Sequence, residues 1–115
     1  MIKSFTVSQE HTAAYVGSGT LPVLATPILA VWIENLATEL AESLHSTEES
    51  TVGTNITLDH LKKSKVGETI TCHVDLIAQD RRKLTFSAVC LNEVGEQVAT
   101  ASHTRFIINI SKFMA

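Results

Sequence analysis

A long helical segment followed by four segments of alternating hydrophobicity is the feature that most constrains the fold of this chain. Residues 26–45 carry apolar side chains at helical spacing. The pair Thr26-Pro27 is typical of a helix start, with threonine as the N-cap and proline at the first helical position. After a polar loop over 45–51 the apolar period becomes two. The predicted strands cover 52–60, 70–78, 83–92 and 97–110, with a weaker strand at 2–7.

Short turns at 80–82 and 93–96 join the later strands. Strands joined in this way pair antiparallel, and one helix can cover only one face of such a sheet. The sequence therefore predicts an α+β fold, with a buried helix against an antiparallel sheet, in a single domain over residues 1–115. Segment 8–20 is polar and is predicted as a flexible loop. In the first strand after the helix, one face is predicted to carry Val52, Thr54, Ile56, Leu58 and His60.

The two halves of the predicted helix differ in character. Residues 28–33 are apolar on all sides, whereas the second half is amphipathic. We therefore expect the first turns of the helix to be enclosed and the last turns to lie at the surface.

Charge and length exclude several classes of function. The formal net charge is −3, so the basic stripe expected of a nucleic-acid-binding protein is missing. The apolar run around Pro27 is too short for a membrane span, and no positively charged leader precedes an apolar segment. We expect a cytoplasmic protein of 115 residues, a size at which forming a homodimer or higher oligomer would add stability.

The sequence gives no sign of a metal or cofactor. Cys72 and Cys90 each fall in an alternating strand pattern, so we interpret them as small buried hydrophobic residues rather than as a disulfide. There is no close grouping of histidine, cysteine and carboxylate with metal-ligand spacing. We predict neither a metal site nor a cofactor.

Glu34 is the only formal charge between His11 and Thr38, and it stands in an otherwise apolar stretch. A carboxylate among apolar residues resists ionisation, so such a residue is kept either for a partner or for chemistry. On a helical wheel, however, Glu34 lies at the border of the apolar arc, so a solvated edge residue is an equal alternative.

Three other residues have both a functional and a structural interpretation. Thr26 could contact substrate or could simply cap the helix. His60 ends its strand and could be catalytic or a hydrogen-bonded core histidine. Gly53 interrupts a strand, which indicates a bulge, a close approach by a ligand, or only looser packing.

A carboxylate, an imidazole and a hydroxyl could together carry out general acid–base or nucleophilic chemistry. Glu34 could act as a general base, worth about 10²–10⁴ in rate, or as a nucleophile, and His60 could orient water or polarise a substrate carbonyl. Thr26 could be a nucleophile or could hold water and substrate. However, Thr26 and Glu34 would lie ~12 Å apart on one straight helix. Either the chain bends back at Thr26 or a second subunit supplies part of the site.

The order Thr26, Glu34, Gly53, His60, followed by His103-Thr104-Arg105 in the last strand, resembles the fluoroacetyl-CoA thioesterase group of hotdog-fold enzymes. The resemblance spans about residues 22–113. It implies a hotdog fold, in which a five-stranded antiparallel sheet wraps a long central helix. It also implies that Thr26, Glu34 and His60 are catalytic, that Arg105 is associated with the site, and that active sites lie at a dimer interface.

The resemblance is incomplete at one place. The fluoroacetate-specific enzyme carries aromatic lid residues upstream of its threonine, whereas residues 17–21 include no aromatic side chain. A short- to medium-chain acyl-CoA is therefore the predicted substrate, with Gly53 and Arg105 as substrate-binding residues. A non-catalytic acyl-CoA or small-ligand binding module is the alternative. Acyl-CoA hydration is disfavoured because no aspartate–histidine pair occurs at the helix start.

The remaining histidines and basic residues have no assigned role at this stage. The basic runs after His60 and near residue 82 could meet the phosphates of coenzyme A, although solvated surface charge is the more economical interpretation. The other histidines lack a supporting constellation and are interpreted as surface or packing residues: His11, His45, His73 and His103.

Overall fold

A computed structural model describes all 115 residues, and its core is one antiparallel sheet packed on one long helix. The sheet order is β1-β3-β4-β5-β2, so β1 and β2 are the two edge strands. The helices are α1 (Ala13–Val16), α2 (Thr26–Ala41) and α3 (Ile110–Phe113). The strands are β1 (Ile2–Thr6), β2 (Glu49–His60), β3 (Thr69–Asp80), β4 (Lys83–Leu91) and β5 (Gln97–Asn109).

Helix α2 buries one continuous stripe along its whole length rather than its first turns alone. The prediction that the first turns are enclosed is wrong for the single chain, because Thr26 and Pro27 are exposed and Val31 retains 57% of its accessible surface. Val31 lies on the same helix face as Glu34 and Thr38, beside the buried stripe rather than within it. The buried stripe consists of Leu29, Trp32, Ile33, Leu36, Ala37 and Ala41.

The start of α2 differs from the prediction by one residue. Ala25 is the N-cap, and its carbonyl accepts hydrogen bonds from the amides of Ile28 and Leu29. Thr26 is therefore already helical, and its side chain does not cap the helix. Pro27 lies in the first turn, where its missing N–H costs nothing.

A β-bulge in β2 changes which residues face the helix. The pairing with β5 is regular up to Gly53, opposite Arg105, and resumes with Asn55 opposite Thr104. Thr54 is the extra residue, and it reverses the alternation of the strand at that point. The predicted face was therefore correct after the bulge and wrong before it. The residues that share the inner face are Thr51, Gly53, Ile56, Leu58 and His60.

The segment before α2 was predicted as a flexible loop, but it contains short helical turns. It contains a 3₁₀ turn at Gln9–His11 and the single turn α1, which Gly17 ends at a φ of 83°. A positive φ of this kind is readily adopted by glycine. Phe5 of β1 stacks on Trp32 of α2 with ring centroids 4.6 Å apart, which fastens the edge strand to the helix.

The two cysteines lie opposite each other on β3 and β4, fully buried and as free thiols. This agrees with their interpretation as small core residues. No helix in the structure is long and apolar enough to span a lipid bilayer.

Candidate active site

Thr26 and His60 form a hydrogen-bonded pair, here named the helix-start pair. The Thr26 hydroxyl lies 2.8 Å from Nδ1 of His60. Helix α2 begins at Thr26 and β2 ends at His60, so the ends of two packed elements meet at this point. The pair spans 34 residues of sequence, and its two members were predicted as parts of one catalytic group that also includes Glu34.

The His60 ring is partly shielded from water. Burial lowers the pKa of His60. The neutral ring has one N–H and one lone pair, and Nδ1 is engaged with Thr26. Nε2 is buried and has no hydrogen-bond partner in the chain. Such an unpartnered atom is costly in a folded protein unless a ligand or water serves it.

Glu34 lies two turns along α2 in different surroundings. Its Oε2 accepts a hydrogen bond of 3.2 Å from Nη1 of Arg105, and Nε2 of His103 is 3.9 Å away. The carboxylate is thus set in a charged, polar group rather than among apolar residues as expected. Its side chain retains 42% of its accessible surface in the single chain.

Arg105 is held almost rigidly by the protein. Its side chain is only 8% exposed. Nε donates to the Thr51 hydroxyl at 3.0 Å, and Nη2 donates to the Thr51 carbonyl at 3.1 Å. Nη1 donates both to Glu34 and, at 3.2 Å, to His103.

His103 is the residue that the sequence interpretation missed. It is 2% exposed on the inner face of β5 and lies between Arg105 and the carbonyl of Asn55, 2.7 Å from Nδ1. Burial is the main cause that lowers the pKa of His103. The sequence contains one indication that His103 belongs to the site. It lies two residues before Arg105 in the same predicted strand, so both side chains are on the same strand face.

Gly53 has no side chain because three polar groups occupy the space beside it. A Cβ at this position would lie 2.8 Å from Oε2 of Glu34, 3.1 Å from Nη1 of Arg105 and 3.1 Å from Cε1 of His103. The close approach expected at this glycine is therefore made by the protein's own side chains. We name this set the Glu34 cluster; it consists of Glu34, Gly53, His103 and Arg105.

Within one chain the candidate residues thus form two groups. No hydrogen bond or ion pair joins the helix-start pair to the Glu34 cluster. The chain does not bend back at Thr26, because that residue begins the regular helix. Both groups flank β2, whose outer edge has no partner strand in the chain.

The basic residues proposed for coenzyme A phosphates lie at the surface. Lys62 pairs with Glu96 at 2.7 Å and Arg82 with Glu49 at 2.9 Å, whereas Lys63 and Lys65 make no ion pair. No group of three or more histidine, cysteine or acidic side chains could hold a metal ion.

The five-stranded antiparallel sheet curled around one long helix defines a hotdog-fold protein, as the resemblance implied. The model of the fluoroacetyl-CoA-specific thioesterase family, FlK, matches residues 7–111, and the chain belongs to this family. No curated protein matches the chain.

Several solved structures share the fold. A mutant of the fluoroacetyl-CoA-specific thioesterase FlK, in complex with fluoroacetate and CoA, is 20% identical with a TM-score of 0.91, covering 98% of this chain and 94% of that chain. A thioesterase superfamily member from Thermus thermophilus is 17% identical with a TM-score of 0.90, covering 98% of this chain and 83% of that chain. The smu.793 protein of Streptococcus mutans, bound to acetyl CoA, is 17% identical with a TM-score of 0.78, covering 94% of this chain and 80% of that chain.

Proposed function

We propose that this protein hydrolyses acyl-CoA thioesters with short- to medium-chain acyl groups, as a single thioesterase domain over residues 1–115. The observation that carries the proposal is the hydrogen-bonded pair of Thr26 and His60 in a member of a thioesterase family. Residues 17–21 include no aromatic side chain, which supports a general acyl group over fluoroacetyl specificity.

Glu34 acts as the general base in this proposal. Arg105 engages Oε2, and Oε1 has no partner in the chain, so one oxygen is free to receive a proton. Water attacks the thioester carbonyl carbon while its proton passes to Glu34. The carbon–sulfur bond then breaks, and coenzyme A leaves as the thiolate.

The helix-start pair orients the substrate. His60 is neutral near pH 7 because its pKa is lowered by burial, so it can donate or accept one hydrogen bond through the unpartnered Nε2. Thr26 sets the ring orientation through Nδ1. If Nε2 carries the proton, it can polarise the thioester carbonyl, an effect that is worth roughly 3–4 kcal/mol for one preorganised donor.

The active form in this proposal is a homodimer whose sites are shared between subunits. Thr26 and Glu34 are separated by ~12 Å along α2, too far for one thioester to contact both. Pairing the free edges of two β2 strands about a two-fold axis between Ile56 and Thr57 would bring Gly53 near the partner's His60. Each site would then combine one protomer's Glu34 cluster with its partner's helix-start pair.

The exposed face of α2 supports this assembly. Val31 is 57% exposed on the same helix face as Glu34, and Leu61, directly after β2, is also exposed. Apolar side chains beside an unpaired strand edge favour association with a second copy. The free, buried cysteines are consistent with a reducing compartment, so the proposal places the protein in the cytoplasm.

A panel of acyl-CoA thioesters tests the proposed activity. We expect the purified protein to release free thiol from acetyl-, propionyl-, butyryl- and hexanoyl-CoA, measured with a chromogenic thiol reagent. Tight binding of these ligands in calorimetry without any thiol release would contradict hydrolysis and would favour the acyl-CoA binding module.

A further inference from the structure

His103 is a buried titratable group that has no role in the proposed mechanism. It is 2% exposed and lies at the centre of the Glu34 cluster. Its ring contacts groups from two elements: the Asn55 carbonyl in the β2 bulge and the guanidinium of Arg105 on β5. Both ring nitrogens of this buried histidine therefore have a partner, and the identity of the two partners determines which nitrogen carries the proton.

The partners of His103 determine its tautomer. The Asn55 carbonyl can only accept, so Nδ1, 2.7 Å away, must carry the proton. The guanidinium of Arg105 can only donate, so Nε2 must present its lone pair to Nη1 at 3.2 Å. If both ring nitrogens carried protons, the N–H at Nε2 would face an N–H of Arg105, and two donors cannot form a hydrogen bond. His103 is therefore a neutral acceptor for as long as Arg105 stays in place.

This acceptor completes the anchoring of Arg105. The guanidinium has five N–H donors. Four are used: one on Thr51 Oγ1, one on the Thr51 carbonyl, one on Glu34 and one on His103. Without His103, one N–H of a buried cation would lack an acceptor, which favours rotation of the guanidinium toward water and away from its bond to Glu34.

The β2 bulge has a part in the same arrangement. Ile56, not Asn55, lies opposite His103 in the register. The extra residue Thr54 reorients the backbone so that the Asn55 carbonyl lies within hydrogen-bond distance of the ring. The bulge thus determines that Nδ1 of His103 carries the proton. As a result, Nε2 is free to accept a hydrogen bond from Arg105.

We infer that His103 is a positioning residue, which fixes Arg105 against Glu34 by accepting a hydrogen bond from Nη1. This inference rests on the proposed function, because Glu34 is the base in that proposal. It assigns no direct contact between His103 and substrate.

Two substitutions separate the two hydrogen bonds of His103. In His103→Gln the side-chain oxygen can reach the former Nε2 position and accept from Arg105. In His103→Asn the amide can donate to the Asn55 carbonyl, but nothing reaches Arg105. We expect His103→Asn to lower kcat by ~10- to 100-fold with KM within about twofold, and His103→Gln to restore a large part of kcat. Ser102→Asn, on the exposed side of the same strand, is the control for the substitution itself.

Nuclear magnetic resonance tests the positioning without relying on activity. We expect the ring nitrogens of His103 in the wild-type protein to show a protonated Nδ1 and an unprotonated Nε2. The order parameter of Arg105 Nε should fall in His103→Asn and recover in His103→Gln.

The outcomes distinguish the two proposals. A wild-type protein that hydrolyses no acyl-CoA would overturn the proposed function, whereas the Arg105 order parameters would still decide the positioning. An unchanged order parameter in His103→Asn would overturn the inference. Equal losses of kcat in both variants, with equal losses of unfolding free energy, would also overturn it, because they would indicate a purely structural role.

Discussion

At the level of single residues, the pairing of Glu34 with Arg105 involves only one carboxylate oxygen. Nη1 of Arg105 contacts Oε2 at 3.2 Å, and the guanidinium is otherwise occupied by Thr51 and His103. Arg105 is therefore better suited to hold Glu34 than to move toward a substrate. Its role as a substrate-binding residue, and that of Gly53, stays a prediction.

Replacing Glu34 by glutamine should remove the base while leaving the cluster assembled. The amide oxygen of Glu34→Gln can still accept from Arg105, but the side chain cannot take up a proton. We expect kcat for acyl-CoA hydrolysis to fall by about 10²–10⁴, with the circular dichroism spectrum unchanged. Glu39→Gln is the matched control, because it removes a carboxylate of the same helix that pairs with Lys3 at 2.8 Å. A wild-type kcat in Glu34→Gln would show that another group is the base.

At the level of elements, β2 shows how much periodicity can predict. The alternation predicted a strand at 52–60, and the structure has Glu49–His60. The position of the bulge at Thr54 was not predictable, because residues 49–53 before it contain one strongly apolar side chain, Val52, and so show no apolar alternation. Gly53 indicated an irregularity, but which side chains need its space depends on the register with β5.

The candidate site residues also divide into those that the sequence indicates and those that depend on tertiary pairing. Thr26, Glu34 and His60 were chosen as candidates from residue type, order and family resemblance. The cap assignment of Thr26 was wrong because local propensity does not include a tertiary partner, and His60 is 34 residues away. His103 escaped notice because its partners, Asn55 and Arg105, come together only through strand pairing.

The proposed dimer depends on the exposed face of α2. Val31→Asp would bury a carboxylate at the proposed subunit interface without disturbing the core of the single chain. We expect the dimer dissociation constant to rise by at least ~10-fold in sedimentation velocity, with a parallel loss of activity. Ile77→Asp is the control, since Ile77 is similarly exposed, at 60%, on β3. Equal dimer stability in the two variants would exclude this face of α2 from the interface.

At the level of the whole molecule, two shielded histidines link folding to pH. Burial is the largest cause that lowers the pKa of both His60 and His103 below 6.5. Between the folded pKa values and 6.5 the unfolded chain binds more protons than the folded one, so the free energy of unfolding increases with pH. We expect stability to be complete above about pH 6.5 and to decline as the pH falls below it, in urea unfolding at several pH values.

The double variant His60→Gln/His103→Gln provides the reference for this experiment. Its free energy of unfolding should depend less on pH between 6.5 and 5 than that of the wild type. The carboxylates of Glu49 and Glu96 contribute in a lower pH range, because hydrogen bonds from the Ser46 backbone and from Lys62, respectively, hold their pKa values below 4.5. Equal slopes in the wild type and the double variant would assign the pH dependence to other groups.

Subunit sharing can be tested by combining defective chains. If each site takes Thr26 from one protomer and Glu34 from its partner, a heterodimer of Thr26→Ala with Glu34→Gln contains one fully intact site. Isolated with two affinity tags, it should recover about half of the wild-type kcat per dimer, although both parent homodimers are nearly inactive. A heterodimer of wild type with a chain carrying both substitutions should be nearly inactive, because each of its sites then lacks one group. If each site lay within a single chain, only an unmodified chain would turn over substrate. The heterodimer of Thr26→Ala with Glu34→Gln would then be nearly inactive, and the heterodimer of wild type with the doubly substituted chain would keep about half of the activity.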